Sequence, residues 1–435
     1  MSDPSEAADR SNEFLRKQIS EQLKTFEARC IATRDARARA WLFHEGPPSP
    51  ALQGHVVIER PASPLRIHVL DLYHGRAPTL INLRTLTHGP NVQIALRLFV
   101  ILDSNALSYL RQFFSGSLNS DAEAVIRSFL VFIFDQGMDP SAVFYLLESL
   151  ARAEPSRWSE QAGAFAATLV DLQTLDQDLL LSGGVVASSL EARNRHLVHH
   201  GVPDSTRLVE KYTGSISRDV ALAEGTQISR SYAALLKAML LRTSVSTLKA
   251  RTIDLGDFMT TRLGAVLGLE RFAALLHWVA PERFARMLTP IQRGARADKV
   301  LSKAQSTAWD IYLGRLPEQL GRFLPFNEST EAEGTCNLFY IATAENALAK
   351  FLGHRTIELL VQHADYGKSS IVVGHHAGML EELLSPEQLS EISDASLEWE
   401  KRARETAHLR TPVIGADLEH VIAELENEIR AICTA

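Results

Sequence analysis

Two carboxylates stand at points in the sequence where a parallel sheet would bind a ligand. Asp103 directly follows the apolar run 96–102, and Glu345 directly follows a similar run at 337–344. A helix-like pattern begins after each acid, so each run is expected to be a buried strand that ends at the acid. The crevice outside the carboxyl ends of the strands is where parallel α/β sheets bind ligands. An Asp before a helix is also a favoured N-cap, and taken alone Asp103 favours that role.

Two further acids lie in helix-like stretches that are rich in apolar residues. Glu148 falls about two turns beyond Pro140, a residue that suits the first turn of a helix. Asp310 follows Ala308-Trp309 in an amphipathic stretch. A carboxylate among apolar side chains is costly unless its charge is paired or bound to a cation. We therefore expect all four acids to converge on one site, although they are far apart in the chain.

The order of these motifs resembles that of the PIN-like nucleases. A strand ends in Asp-Ser-Asn-Ala-Leu at 103–107, and Pro-Ser-Ala then precedes the helical Glu148. Further along, Ala-Trp-Asp ends at Asp310, and a second strand closes on Thr-Ala-Glu at 343–345. The family's usual last motif is Thr-Ala-Asp, so Glu345 departs from it by one methylene group.

The resemblance implies hydrolysis of phosphodiester bonds with Mg²⁺ or Mn²⁺. Hard cations take oxygen ligands, and Mg²⁺ is usually held by one or two carboxylates plus substrate phosphates. The resemblance implies that the catalytic residues and metal ligands are Asp103, Glu148, Asp310 and Glu345. It also implies that a second group of polar side chains supports them: Ser104, Asn105 and Thr343. Because the family mostly cuts RNA, RNA is the expected nucleic acid, ahead of DNA. A role as a toxin or in defence, with an inhibitory partner protein, is implied by the family alone.

The same resemblance predicts the organisation of the chain. The expected fold is α/β, with a PIN-like three-layer core around a parallel sheet, a large helical insertion and helical termini. The predicted segments are an N-terminal helical segment at 1–53, the two parts of the core at 54–150 and 301–380, the helical insertion at 151–300, and C-terminal helices at 381–435.

A run of basic residues precedes Asp310. Between residues 283 and 303 six bases are set against the single acid Asp298. The six are Arg283, Arg286, Arg293, Arg296, Lys299 and Lys303. They are candidates for holding a phosphate backbone and leading it to the acids, with salt-dependent affinity. A solvated helix face explains them equally well.

A second pattern indicates a different, metal-free chemistry. Arg193 and Asn194 are followed after four residues by His199, which resembles the signature of the HEPN ribonucleases. There Arg193 would stabilise the phosphate charge, and His199 would act as acid or base near neutral pH. A basic helix end stopped by Gly201 and Pro203 explains the same residues, and we favour that interpretation.

Composition excludes several other classes of protein. The chain has 435 residues, of which 46% are hydrophobic, enough for one large domain or several ordinary ones. No apolar run approaches the roughly 18 residues of a membrane span, and the polar N-terminus lacks a signal-peptide core. Three dispersed cysteines argue against a disulfide framework and favour a reducing cytoplasm. The sequence contains no phosphate-binding loop, nucleophile elbow or dinucleotide fingerprint.

The sequence alone leaves alternatives to an active nuclease open. A non-catalytic helical scaffold with a degenerate nuclease core is the main alternative, because Glu345 departs from the family motif. The net charge of −7 is acidic for a protein that handles nucleic acid, although local charge matters more than the total. Self-association through the last helices is a further alternative.

Overall fold

The computed structural model describes most of the chain, in ranges separated by gaps. The described residues are 4–34, 38–43, 54–89, 94–152, 167–182, 190–214, 218–243, 247–323, 335–362, 371–376, 379–405 and 413–434. They divide into two compact units. The sheet unit comprises Thr25–Leu222 and Leu316–Val372, and the helical unit comprises Met1–Lys24, Ala223–Arg315 and Val373–Ala435.

The described residues form nine strands and eighteen helical segments. The strands are β1 (Arg39–Phe43), β2 (Val56–Glu59), β3 (Arg66–Leu70), β4 (Pro78–Asn82), β5 (Ala95–Leu102), β6 (Met138–Ser141), β7 (Thr335–Thr343), β8 (Arg355–Gln362) and β9 (Ile371–His376). The helices are α1 (Pro4–Thr33), α2 (Leu83–His88), α3 (Ser104–Phe114), α4 (Ser120–Asp135), α5 (Val143–Arg152), α6 (167–173), α7 (Gln177–Leu181), α8 (Leu190–His199), α9 (Ser205–Gly214), α10 (Arg218–Thr243), α11 (Leu248–Thr261), α12 (Gly268–Val279), α13 (Pro281–Phe284), α14 (Ala297–Phe323), α15 (Asn346–Gly353), α16 (Met379–Leu383), α17 (Pro386–Glu405) and α18 (Gly415–Thr434).

A five-stranded sheet with the order β2-β3-β7-β5-β6 carries two of the predicted acids at its strand ends. β5 lies between β6 and β7 and is parallel to both. The register places Ile101 opposite Ser141 on one side and opposite Ile341 on the other. The end of β5, 100–102, is fully buried, as expected of a parallel strand that is covered on both faces.

The sheet is mixed, which corrects the prediction of a parallel sheet. β3 pairs antiparallel with both β2 and β7. The protein is therefore a mixed α/β fold in which a parallel trio of strands is extended by an antiparallel hairpin. The direction in which β2 and β3 join the sheet depends on the pairing of β3 with β7, which is distant in the chain.

A second sheet, with the order β4-β1-β8-β9, was not predicted. Its strand Arg39–Phe43 corrects the prediction that residues 1–53 are a helical segment, because α1 ends at Thr33. β1 pairs antiparallel with β4 and β8, and in this position Trp41 and Phe43 are buried. Burial of these side chains between two partner strands explains why a strand forms here.

The described residues of the predicted insertion at 151–300 are helices and their connections. This segment is divided between the two units, since the boundary falls between Leu222 and Ala223. In the helical unit, α11 packs closely on α17 because Gly256 leaves room for the ring of Trp399. None of the described helices is both long and apolar enough to cross a membrane.

Candidate acidic site

Asp103 lies between the end of β5 at Leu102 and the start of α3 at Ser104. Its backbone is extended, and its side chain accepts a hydrogen bond from the backbone amide of Ala106. Its own amide donates to the carbonyl of Ala342 in β7 at 2.9 Å. The predicted N-cap role is thus confirmed. A cap is normally solvated, whereas Asp103 is only 3% exposed. Capping therefore accounts for the hydrogen bond to one carboxylate oxygen but not for the burial of the carboxyl group.

Thr343 holds the second carboxylate oxygen of Asp103. It is the last residue of β7, is fully buried, and donates its hydroxyl hydrogen to Asp103 Oδ2. The same hydroxyl oxygen accepts a hydrogen bond from the backbone amide of Glu345 at 3.0 Å. The Thr-Ala-Glu motif therefore links the ends of β5 and β7, and the predicted contact between Thr343 and an acidic side chain is present.

Glu148 is held close to the start of α3. It lies on α5, is half-buried, and accepts a hydrogen bond from the hydroxyl of Ser104. Ser104 thus makes the predicted contact with an acid, whereas Asn105 is exposed on the first turn of α3. Pro140 lies in β6 rather than in the first turn of a helix, and α5 begins at Val143. β6 is an edge strand, where the missing N–H of proline is tolerated.

Glu345 occupies the N-cap position of α15 with an extended backbone. Its carbonyl accepts a hydrogen bond from Ala349 at 2.9 Å, which starts the helix, and its side chain is half-buried. The local geometry of Asp103, a strand followed at once by a helix, is therefore repeated at Glu345. This was the arrangement predicted from the two apolar runs.

The electrostatics of Asp103 connect it to both glutamates. Burial raises the pKa of Asp103 from 3.8 to about 7. Hydrogen bonds from Thr343 and Ala106 oppose this increase. The negative charges of Glu345 and Glu148 add to it. Glu345 and Glu148 are thus both close enough to Asp103 to act on its carboxyl group, which lies at the carboxyl end of β5.

Asp310 and the basic run belong mainly to the other unit. Asp310 is half-buried on α14, and the run 283–303 lies with it in the helical unit. Five of the six bases are exposed: Arg283, Arg286, Arg293, Arg296 and Lys299. Lys303 is half-buried. Of the four predicted acids, Asp103, Glu148 and Glu345 therefore belong to the sheet unit and Asp310 does not.

Arg193 and His199 both lie on α8, and of the two His199 lies in its last turn. Arg193 forms an ion pair with Asp171, whose pKa is raised by burial although the charge of Arg193 opposes the increase. His199 is exposed and is the last residue of the helix. Gly201 follows with a φ of 63°, the left-handed conformation that commonly ends a helix. The predicted helix end is confirmed.

Two residues next to the acids were not predicted as part of any site. His68 lies on β3 directly opposite Thr343, and its Nε2 is 2.7 Å from Oδ1 of Asn346 at the start of α15. In the sequence His68 is one polar residue within an alternating strand, which gave no reason to associate it with Thr343. Only the pairing of β3 with β7 brings them together.

The acids match a hard cation in chemical type. Mg²⁺ and Mn²⁺ take oxygen ligands, and Asp103, Glu148 and Glu345 offer carboxylate oxygens at one edge of the sheet. Across the described ranges, no three or more Asp, Glu, His or Cys side chains are close enough together to hold an ion. Mg²⁺ usually needs only one or two carboxylates, because water and substrate phosphate complete its shell. One or two of these carboxylates, with water and phosphate, therefore fit such a cation. No family model matches the sequence, and neither a curated protein nor a solved structure matches it.

Proposed function

We propose that the chain is a PIN-like nuclease that hydrolyses phosphodiester bonds with Mg²⁺ or Mn²⁺, with RNA as the favoured substrate. The observation that supports this most is the setting of Asp103. Its carboxyl group is buried at the carboxyl end of the central parallel strand, and the charges of Glu148 and Glu345 repel it. Such an arrangement is costly for folding alone and is typical of functional sites. A bound cation would offset the repulsion.

The order of the elements also supports the proposal. Asp103 ends the central strand of the parallel trio, and Glu345 follows the neighbouring strand on one side. Glu148 lies on the helix after the strand on the other side. Three acids distant in the sequence thus come from three successive strand-to-helix units around one sheet edge. In open α/β sheets this edge is where ligands bind.

Each residue has a defined role under this proposal. Asp103, Glu148 and Glu345 would hold the cation directly or through bound water, and the cation would polarise the phosphate and activate water when bound. Thr343 orients Asp103 by its hydroxyl hydrogen, and Ser104 orients Glu148. Such supporting hydrogen bonds fix the direction of metal-binding oxygens. Asp310 is left out of this set, since it belongs to the helical unit.

Cleavage of labelled single-stranded RNA tests the proposal. Wild type, Asp103→Asn and Asp121→Asn are compared with Mn²⁺ and with EDTA. Asp121 is an exposed acid in the first turn of α4, so Asp121→Asn is a matched control for the loss of one charge. We expect cleavage that requires Mn²⁺, is lost in Asp103→Asn and is retained in Asp121→Asn.

The other outcomes point to the alternatives. Cleavage in EDTA that survives Asp103→Asn would contradict the acidic mechanism and support Arg193 and His199 instead. Absence of cleavage in every condition would favour a non-catalytic scaffold. The toxin or defence role, with its inhibitory partner, rests on the family resemblance alone.

A further inference from the structure

Two histidine rings face each other on the five-stranded sheet, outside the acidic site. His68 lies on β3 opposite Val57 of β2, and His55 lies two residues before Val57. Alternation along a strand therefore places His55 and His68 on the same face of the sheet. Their ring centroids are 5.6 Å apart, and His68 Nδ1 is 3.4 Å from His55 Nε2. The two nearest ring nitrogens are thus His68 Nδ1 and His55 Nε2.

The distance between these nitrogens is long for a hydrogen bond. N–H donors normally lie about 2.9–3.0 Å from their acceptors. Two imidazole nitrogens bound to one tetrahedral zinc ion, each at about 2.0–2.1 Å, are about 3.3–3.4 Å apart. The observed 3.4 Å between His55 and His68 equals that separation. The spacing of the two nitrogens therefore already matches that of two ligands of one zinc ion.

Asn346 sets the tautomer of His68 that a metal needs. Its amide oxygen lies 2.7 Å from His68 Nε2 and has no hydrogen to donate, so Nε2 must be the donor. The lone pair of a neutral His68 ring is then on Nδ1, the atom that faces His55. Metal-binding histidines characteristically donate their second ring N–H to an oxygen in this way. The hydrogen bond from His68 to Asn346 thus matches the support of a metal ligand.

His55 is suited to be the second ligand. Its Nε2 is the atom that faces His68 Nδ1, and a neutral imidazole ring offers one nitrogen lone pair to a metal. His55 is exposed, so an ion reaches the pair directly from solvent.

We propose that His55 and His68 form a binding site for a borderline divalent metal ion such as Zn²⁺, with water completing its coordination. Imidazole nitrogen suits zinc, whereas the carboxylate oxygens of the acidic site suit Mg²⁺ and Mn²⁺. The two sites thus differ in ligand chemistry. The zinc site does not depend on the nuclease proposal, since none of its ligands is an acid.

A second histidine pair provides an internal comparison. His196 and His200 have ring centroids 4.5 Å apart at the end of α8. Their separation of four residues places them on one helix face, a spacing that also suits a metal ion. The test must therefore distinguish the two pairs.

Binding of Co²⁺ and Zn²⁺ to the full, tag-free chain tests the proposal. Co²⁺ is followed by its visible absorption, and Zn²⁺ by its displacement of Co²⁺. The variants are the double substitutions His55→Gln/His68→Gln and His196→Gln/His200→Gln. We expect the first to lose one bound ion per chain and the second to retain that ion. Asn346→Leu should weaken binding by about 10–100-fold, because the supporting hydrogen bond is lost.

Unchanged metal binding in His55→Gln/His68→Gln, or a loss confined to His196→Gln/His200→Gln, would overturn the proposal. If the double variant fails to fold, His55→Gln alone gives the same test, because His55 is exposed. Asp103→Asn separates the two proposals. Zinc binding should persist in that variant whether or not the chain is a nuclease.

Discussion

Wild type is expected to lose stability as the pH rises, because Asp103 is buried. Asp103→Asn is expected not to show this loss. Burial raises the folded-state pKa of Asp103 to about 7, against 3.8 in the unfolded chain. Because the folded state holds this proton more tightly, the contribution to stability is present at low pH and is lost as the pH rises through 7. The full shift corresponds to about 4 kcal/mol.

About half of this contribution falls in an accessible pH range. For these two pKa values, linkage gives a loss of about 2 kcal/mol in the free energy of unfolding between pH 5.5 and pH 8. Asn has nearly the same shape as Asp and carries no charge. Asp103→Asn should therefore lack this loss, and its stability relative to wild type should increase with pH.

Urea unfolding at pH 5.5 and 8 in EDTA measures the effect. Wild type and Asp103→Asn share all their other titratable groups. The difference between their free energies of unfolding at each pH therefore removes the contribution of those groups. Asp176→Asn is the matched control, because Asp176 is an N-cap in the same unit but is exposed. An equal pH dependence in wild type and Asp103→Asn would refute the interpretation of Asp103 as a strained, buried acid.

Two further substitutions test the packing that supports the site and the helical unit. Thr343→Val should lower the free energy of unfolding by about 1–3 kcal/mol, because buried Asp103 loses its hydroxyl donor. Thr343→Ser keeps the hydroxyl group, so it should retain most of the wild-type free energy of unfolding in the same urea assay. Equal losses in Thr343→Val and Thr343→Ser would contradict the role of the hydroxyl as a donor to Asp103. Gly256→Ala should cost about 1–3 kcal/mol, because the added methyl would overlap the ring of Trp399. Gly225→Ala should instead gain up to about 1 kcal/mol, because Gly225 has open space around it in α10. Similar changes in melting temperature for Gly256→Ala and Gly225→Ala would argue against the close contact of Gly256 with Trp399.

Local patterns predicted the two strand-end acids well. The apolar runs before Asp103 and Glu345 form strands, and a helix begins directly after each acid. Both features were predictable because an apolar run and a change from strand to helix periodicity are visible in neighbouring residues. Pro140 was placed wrongly, in a helix rather than in β6. Proline suits both a first helical turn and an edge strand, and only the pairing with β5 decides between them.

Long-range pairing was not predictable from the sequence. The direction of β3 against β7, and with it the position of His68 opposite Thr343, depends on residues far apart in the chain. The grouping of Asp310 with the helical unit likewise follows from tertiary contacts and not from its neighbours in sequence. Local patterns therefore predicted acids but could not predict which of them share one unit.

Binding of Mn²⁺ in the absence of nucleic acid tests the central claim most directly. The ion is titrated into wild type, Asp103→Asn, Glu345→Gln and Asp121→Asn, and free Mn²⁺ is measured by electron paramagnetic resonance. We expect wild type and Asp121→Asn to bind Mn²⁺ equally, and both Asp103→Asn and Glu345→Gln to bind it much more weakly. Equal binding by all four proteins, or no binding by wild type, would contradict a metal site at the carboxyl ends of β5 and β7.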